Sequence, residues 1–188
     1  VQREKDRQAA WDDAWEAGRD EKRQALWTIA FSPLGPETST AIQRVSRQGQ
    51  HVWGYAWSPD SMGFAAFTSP LPEADALFSQ LTLALLPADG SLAGRSWDVL
   101  GPWMESWPVW SADGTQVLFL AGAYPASDLY TLDLAQGGEP RICPTDELGT
   151  PINLRRAIAG AALYALFTRG VTTALHELDA STRSFTLL

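Results

Sequence analysis

The sequence is poor in cysteine and in positive charge. Its single cysteine, Cys143, cannot form a disulfide within the chain, and we therefore expect a reducing compartment such as a bacterial cytoplasm. Asp and Glu outnumber Lys and Arg by 22 to 14, and the net charge of −8 argues against nucleic acid or an anionic membrane surface as a partner. No apolar run approaches the roughly 18 residues that cross a bilayer. The charged N-terminus also predicts no signal peptide.

Residue patterns that support catalysis are also scarce. A serine hydrolase of the α/β class needs a G-x-S-x-G turn, but 90–94 reads GSLAG, with the serine one place early. The two histidines, His51 and His176, have no paired cysteines or carboxylate cluster with zinc-ligand spacing. No glycine-rich phosphate loop is present. We therefore expect no catalytic, cofactor-binding or metal-binding residue in this chain, and no hydrolysis by it alone.

The chain does have a β-hairpin motif that occurs twice. Residues 107–121 read WPVWSADGTQVLFLA, in which Asp113-Gly114 separates two apolar runs and favours a tight turn. Both faces of the second run are apolar, so a strand there must be covered on both sides. The pattern recurs as WSPDS at 57–61, followed by FAAF. Ser58, Asp60 and their counterparts Ser111 and Asp113 are expected to bind local backbone rather than substrate.

A longer repeat runs through the chain from residue 25 onward. Leu26, Leu81, Leu129 and Leu175 each begin a similar strand pattern, and they are 55, 48 and 46 residues apart. This is about the length of one four-stranded propeller blade. The repeat predicts an all-β fold, a partial β-propeller of about three and a half four-stranded antiparallel blades with a short N-terminal helix.

The repeat also divides the chain. We predict an N-terminal helical arm or insert at 1–24 and a β-propeller segment at 25–188. The segment comprises a half-blade at 25–50 and blades at 51–104, 105–148 and 149–188. The predicted strands are 25–31 and 41–46; 52–57, 63–68, 79–86 and 95–100; 105–110, 116–121, 127–134 and 139–143; and 152–158, 161–168, 173–179 and 183–188.

The arm reads as a solvated helix over about residues 3–18. It lacks proline, is rich in Ala, Glu, Arg and Gln, and places Trp11 and Trp15 on one face. Its acidic residues Asp12, Asp13 and Glu16 are interpreted as part of the solvated face. The two tryptophans are expected to dock on another part of the fold.

Nine tryptophans are unusual for a chain of 188 residues. We expect several of them to fill the space between neighbouring sheets, namely Trp53, Trp57, Trp107 and Trp110. Trp97 and Trp103 lie in or after an outer strand, where exposure on a partner or carbohydrate surface is the alternative. The sequence also predicts His51 in a loop, His176 within a strand and Cys143 as a small buried apolar group.

The motifs resemble those of a known group of propellers. The runs at 57–61 (WSPDS), 110–114 (WSADG) and 128–134 (DLYTLDL) resemble the blade repeats of TolB-like propellers. They resemble equally the N-terminal propeller of prolyl oligopeptidase-family (S9) serine peptidases, especially the acylaminoacyl-peptidase and dipeptidyl-peptidase branch. The turn at 137–141 (GGEPR) and the charged insert ahead of Leu26 look more like the peptidase branch.

This resemblance implies a function for the parent protein. In the S9 family a propeller of seven or eight blades caps an α/β-hydrolase domain and restricts access to its active site. The expected function here is therefore a non-catalytic propeller fragment of an S9-type peptidase (a hydrolase), which gates and orients peptide substrates for a hydrolase domain absent from this chain. The alternative is a TolB-like or WD40-like protein-interaction module, and a ligand-binding propeller with exposed tryptophans is a weaker one.

An incomplete ring has two ends. The last repeat keeps an apolar strand at 163–167 (LYALF), and the half-blade at 25–46 leaves strand edges without partners. We therefore expect a homo-oligomer joined through the terminal blades, unless the Trp11/Trp15 helix covers one of the ends.

Overall fold

The computed structural model describes residues 22–29, 42–91, 94–99, 101, 106–122, 127–135, 137–157 and 161–188. Within these residues the fold consists of one two-stranded and three four-stranded sheets, all antiparallel, and one short helix, α1 (Ala74–Ser79). The strands are β1 (Trp27–Ile29), β2 (Ile42–Arg44), β3 (His51–Trp57), β4 (Gly63–Ser69), β5 (Thr82–Pro87), β6 (Ser96–Asp98), β7 (Val109–Trp110), β8 (Gln116–Ala121), β9 (Asp128–Asp133), β10 (Arg141–Ile142), β11 (Thr150–Arg156), β12 (Leu163–Arg169), β13 (Thr172–Asp179) and β14 (Ser184–Leu187).

Each sheet is a meander in which strands pair with their neighbours along the chain. We call β1–β2 the ribbon, β3–β6 the first sheet, β7–β10 the middle sheet and β11–β14 the last sheet. The predicted all-β class with four-stranded antiparallel units is confirmed, and the predicted strands overlap the observed ones. The predicted helix at 3–18, with Trp11 and Trp15, lies outside the described residues.

One predicted strand begins too early. The third strand of the first sheet was expected from residue 79, but β5 begins at Thr82. The preceding residues form α1, whose last turn is closed by hydrogen bonds from Ser79 Oγ to the Asp75 carbonyl (2.7 Å) and from Gln80 N–H to the Ala76 carbonyl (2.9 Å). Ala76 is buried under this turn, which favours helix over an early start of the strand.

The four repeated leucines occupy one position of the fold. In each sheet the leucine carbonyl accepts a hydrogen bond from the N–H of the residue that directly follows the last strand of that sheet. The pairs are Val45 to Leu26 (2.9 Å), Val99 to Leu81 (2.9 Å), Cys143 to Leu129 (2.7 Å) and Leu188 to Leu175 (3.0 Å). The register predicted from the sequence is therefore the register of the third and fourth strands.

Apolar cores join the ribbon and sheets in chain order. Strand β8 shows the arrangement, because Val117 and Phe119 pack toward the first sheet whereas Leu118 and Leu120 pack toward the last. The predicted burial of both faces of this strand is thus observed. The core between the first and middle sheets contains Ala65, Phe67, Leu81, Leu83, Trp110, Val117, Phe119, Ala121 and Leu132. The core between the middle and last sheets contains Val109, Leu118, Leu120, Leu129, Cys143, Leu154, Leu163, Ala165, Phe167 and Leu178.

The histidines and the cysteine are part of this framework. Cys143 is buried, as predicted, and burial raises the pKa of its thiol. His176 is a buried β13 residue whose ring meets Phe167 edge-on at 5.3 Å. His51 is not in a loop as predicted: it begins β3, and its Nδ1 accepts the Gln24 N–H at 3.0 Å. Burial, and then the charge of Arg23, lower the pKa of His51 and favour the neutral ring that this contact requires.

Candidate functional site

The first strands of the three four-stranded sheets lie next to one another. Strand β7 contacts both β3 and β11, and a cleft of about 220 Å³ opens along the three strands. We call it the inner-strand cleft. It is lined by Tyr55, Ala56, Trp57, Trp107, Pro108, Val109, Trp110, Leu154, Arg155 and Arg156. All three sheets therefore contribute to one surface that is rich in aromatic rings and guanidinium groups.

Strand β3 exposes two aromatic rings on this surface. Tyr55 and Trp57 alternate along the strand, so both lie on the same face as Phe64 of β4. Their rings contact the Phe64 ring, with centroids 5.8 and 3.9 Å away. Tyr55 is nevertheless 49% exposed and Trp57 is 48% exposed. The prediction that Trp57 fills the space between sheets is wrong, because no described sheet covers it as the first sheet covers the equivalent Trp110.

Two other tryptophans do join the sheets, as predicted. Trp110 Nε1 donates a hydrogen bond to the Ala56 carbonyl at 3.1 Å, so a middle-sheet ring is anchored on a first-sheet strand. The Trp107 ring lies directly over Gly54, where an added Cβ would be 2.1 Å from Cε3. Gly54 follows an irregularity in the pairing of β3 with β4, a β-bulge that reorients the strand. A residue without a side chain is thus required for Trp107 to reach the cleft.

Positive charge enters the cleft from the last sheet. Arg155 and Arg156 end β11 next to the buried Leu154, and Arg155 Nη1 donates to the Leu154 carbonyl at 3.1 Å. Guanidinium groups bind carboxylates and carbonyls through directed hydrogen bonds and also stack on aromatic faces. Together with Tyr55 and Trp57 they form a surface suited to an extended peptide with apolar side chains. Sequence reasoning missed the position of these arginines beside the cleft because it did not connect their strand with Trp57.

Each of the repeated Ser-Asp turns is stabilised by hydrogen bonds within the turn. Ser58 Oγ donates to Asp60 Oδ1 at 2.6 Å and accepts the Gly63 N–H at 3.0 Å, while Asp60 accepts the Met62 N–H at 3.0 Å. The second turn repeats this pattern through Ser111 and Asp113, at 2.7 Å. The hydroxyl donors are the largest cause of the lowered pKa of both carboxyls. These serines and aspartates hold hairpins together, as expected from the sequence.

A third turn, stabilised in the same way, gives a prediction about how stability depends on pH. Asp179 accepts hydrogen bonds from Ser181 Oγ (2.7 Å), Ser181 N–H (2.8 Å) and Thr182 N–H (3.3 Å), which lower its pKa from 3.8 to about 2. The folded pKa is the lower one, so the stabilisation is complete above pH 3.8 and is lost as the pH falls toward 2. NMR titration should give a carboxyl pKa near 2, and Ser181→Ala should raise it toward 3.8. A wild-type value near 3.8 would contradict the described turn.

Of the two tryptophans that were candidates for an exposed surface, Trp97 and Trp103, the structure describes one. Trp97 packs against the core between the first and middle sheets, with the Arg95 guanidinium 5.5 Å from its ring centroid. Trp103, the other candidate for an exposed surface, lies outside the described residues.

No group of three or more metal-ligating side chains is found in the described part of the chain. The described helix is too short and too polar to span a membrane.

Comparisons with known proteins place this fold. No protein-family model matches the sequence, and no curated protein matches it. TolB from Acinetobacter baumannii is similar in structure, with a TM-score of 0.55 and 19% identity over 79% of this chain and 34% of that one. Puromycin hydrolase, as an S511A mutant in complex with PGG, gives a TM-score of 0.50 and 19% identity over 88% of this chain and 27% of that one.

The chain therefore spans about a third or less of the length of these two proteins. At 19% identity the likeness establishes a shared fold. The resemblance inferred from the sequence motifs is confirmed at that level. The chain has a TolB-like propeller fold, which it shares with TolB and with puromycin hydrolase.

Proposed function

We propose that this chain is a non-catalytic propeller segment of an S9-type serine peptidase, and that it gates and orients peptides for an α/β-hydrolase domain outside this sequence. The inner-strand cleft is the observation that carries the proposal. It combines the half-exposed rings of Tyr55 and Trp57 with Arg156, which lies on the cleft side of the last sheet. The structural likeness to puromycin hydrolase supports a propeller of this type.

The proposal includes a finer description of the fold. The three four-stranded sheets and the ribbon correspond to about three and a half blades, with β3, β7 and β11 as the inner strands. A peptide that approaches along the inner strands would meet the cleft first. Its apolar side chains would stack on Tyr55 and Trp57, and its carboxylate or carbonyl groups would accept hydrogen bonds from the guanidinium of Arg156.

Peptide titration tests this role. Short apolar peptides with a free carboxylate should change the tryptophan fluorescence of the chain in a saturable way. Trp57→Ala and Arg156→Gln should each weaken binding by at least about tenfold, since both remove a direct contact. Phe78→Ala is the matched control, because this α1 ring is equally half-exposed but does not line the cleft.

Two results would contradict the proposal. One is the lack of saturable binding of any such peptide at millimolar concentration. The other is equal loss of binding in Phe78→Ala and Trp57→Ala, which would indicate a nonspecific apolar effect. Blocking the peptide carboxylate by amidation separates the two parts of the site, because only the contribution of Arg156 should then disappear.

A protein-interaction platform of the TolB-like or WD40-like type is the second candidate. The observation in its favour is the similarity to TolB, whose TM-score of 0.55 is the higher of the two. In that case the cleft would hold a segment of another protein, and binding would require a folded partner rather than a short peptide. Saturable binding of tripeptides favours the first candidate over this one.

A further inference from the structure

A short segment leads into the ribbon and lies beside the first sheet. We call residues 22–26 the leading segment. Its last residue, Leu26, is buried together with Val45 and Val52 in the apolar core that joins the ribbon to the first sheet. Leu26 N–H donates a hydrogen bond to Ser46 Oγ at 3.1 Å, so the end of the segment is bound to the ribbon itself. The contact that binds the segment to β3 lies two residues earlier, at Gln24.

Gln24 uses both of its backbone groups to bind the start of β3. Its carbonyl accepts the Val52 N–H at 3.0 Å, and its N–H donates to His51 Nδ1 at 3.0 Å. The first of these contacts joins two backbone groups, which do not titrate. The second ends on an imidazole nitrogen, which can take up a proton between about pH 5 and 8. Attachment of the leading segment to the first sheet therefore depends in part on the protonation state of one side chain.

The contact requires a neutral His51 ring. Nδ1 accepts a hydrogen bond only without a proton of its own, so the ring hydrogen is on Nε2. Protonation of Nδ1 would place a second N–H against the Gln24 N–H, and the two donors would face each other. Because His51 is 5% exposed, water cannot readily take the place of the lost partner. The charged ring thus fits this position only if the leading segment moves away.

The surroundings of the ring also oppose a positive charge. The Trp53 ring meets it edge-on, with the two centroids 4.5 Å apart. Burial, and then the charge of Arg23, lower the pKa of His51, whereas the charge of Glu73 raises it by less. Arg23 is held in this position by a hydrogen bond from its Nε to the Pro70 carbonyl at 3.2 Å. Arg23, on the leading segment, and Glu73, next to α1, are the charged groups that act on the ring among the described residues.

The far end of the ribbon is bound to the first sheet by groups that do not titrate in this range. Thr28 Oγ1 donates to the Ala88 carbonyl at 3.4 Å, and the Gln43 side-chain amide donates to the Asp89 carbonyl. Hydroxyl and amide groups keep their protons between about pH 5 and 8. A fall in pH therefore acts on one end of the ribbon and leaves the other end bound.

We propose that His51 is a pH-sensitive switch, which holds the leading segment on the first sheet when its ring is neutral and releases the segment when the ring is protonated. Release separates Gln24 from β3 and brings water to Leu26, which is 7% exposed while the segment is bound. The folded pKa lies below the ordinary value of 6.5, so the stabilisation is complete above pH 6.5 and is lost as the pH falls through the lower folded pKa. Mild acid thus loosens the layer between the ribbon and the first sheet.

Hydrogen exchange of single backbone amides, followed by NMR in the 188-residue chain, measures the release. Protection is the ratio of the intrinsic exchange rate at each pH to the observed rate. The protection of the Gln24 N–H and of the Val52 N–H should fall together by at least about tenfold between about pH 8 and about pH 5, because each loses a hydrogen bond. The Val99 N–H, which donates to the Leu81 carbonyl at 2.9 Å in the same sheet, is the internal control and should keep its protection.

Substitutions separate the titration of His51 from a general effect of acid. His51→Asn keeps an acceptor oxygen close to the position of Nδ1 but cannot titrate, so the Gln24 N–H should remain protected at both pH values. His51→Leu removes the acceptor, and the Gln24 N–H should exchange rapidly at both. His176→Asn, which replaces the other histidine of the chain, on the last sheet, is the matched control and should keep the pH dependence of the wild type.

Three results would overturn the inference. The first is a wild-type chain in which the protection of the Gln24 N–H does not change with pH. The second is a loss of protection at Gln24 while that at Val52 is retained, which would mean that the segment is not released. The third is a folded His51→Asn variant with the pH dependence of the wild type, which would assign the effect to another group. If the His51 variants fail to fold, nitrogen NMR of the wild-type His51 ring decides, since its protonation must have the same midpoint as the loss of protection at Gln24.

Discussion

Phe119→Ala is expected to reduce the free energy of unfolding by about 3–5 kcal/mol. Phe119 is completely buried at the centre of the core between the first and middle sheets. Its ring is stacked on Tyr130 (5.4 Å, 14°) and meets Phe67 edge-on (6.0 Å, 80°). Truncation would leave a cavity between two sheets that are each held by their own backbone pairing and cannot easily close it. Urea unfolding followed by circular dichroism measures the change.

The control for this variant is a phenylalanine of different burial. Phe78→Ala removes the same atoms from a half-exposed position on α1 and should cost about 1 kcal/mol or less. Phe119→Leu, which keeps most of the volume, should cost about 1.5 kcal/mol or less. Equal losses in Phe119→Ala and Phe78→Ala would show that the core between the first and middle sheets does not contribute as described.

Gly54→Ala is expected to destabilise the chain by about 2–3 kcal/mol, although it adds a single methyl group. The methyl carbon would lie 2.1 Å from Trp107 Cε3, so the indole must move away from its place between the two sheets. In a Trp107→Ala background the same change should cost less than about 1 kcal/mol, because the obstructing ring is absent. This double-mutant cycle, measured by urea unfolding, isolates the contact between the two residues.

The matched control for this cycle is Gly138→Ala. Gly138 does not have a positive φ, and a Cβ there would meet no atom within 4 Å. The change should therefore alter the free energy of unfolding by no more than about 0.5 kcal/mol. Equal effects of Gly54→Ala in the wild-type and Trp107→Ala backgrounds would exclude the described packing of Trp107.

The sequence was most informative where the signal is local. Strand β8 alternates two sets of apolar residues, and Asp113-Gly114 marks its turn, so the hairpin and its two-sided burial were predictable. Helix α1 also had a local signal, since Pro72 and Asp75 are typical of a helix start. No element was predicted at residues 69–78 and a strand was predicted from residue 79, so this helix was missed.

The candidate site depended instead on contacts between distant residues. Trp57 and Trp110 occur in the same motif, yet one is half-exposed and the other buried, because burial depends on which sheet lies alongside. His51 accepts a hydrogen bond from the Gln24 N–H although the two residues are 27 positions apart, and no pattern in the sequence indicates this contact. The contact between Gly54 and Trp107 could not be predicted either, because a glycine in the sequence does not show which side chain packs over it.

Within each sheet the strands pair only with their neighbours along the chain, and this topology has a consequence for folding. Hydrogen-bonded partners are separated by one short connection, so each sheet closes small loops and can nucleate without waiting for remote parts of the chain. Cooperativity between sheets then depends on the apolar layers that join them, as in a linear array of coupled repeats. The first sheet and the middle sheet each have two such layers among the described residues, so a break in the layer between them would expose apolar surface of both.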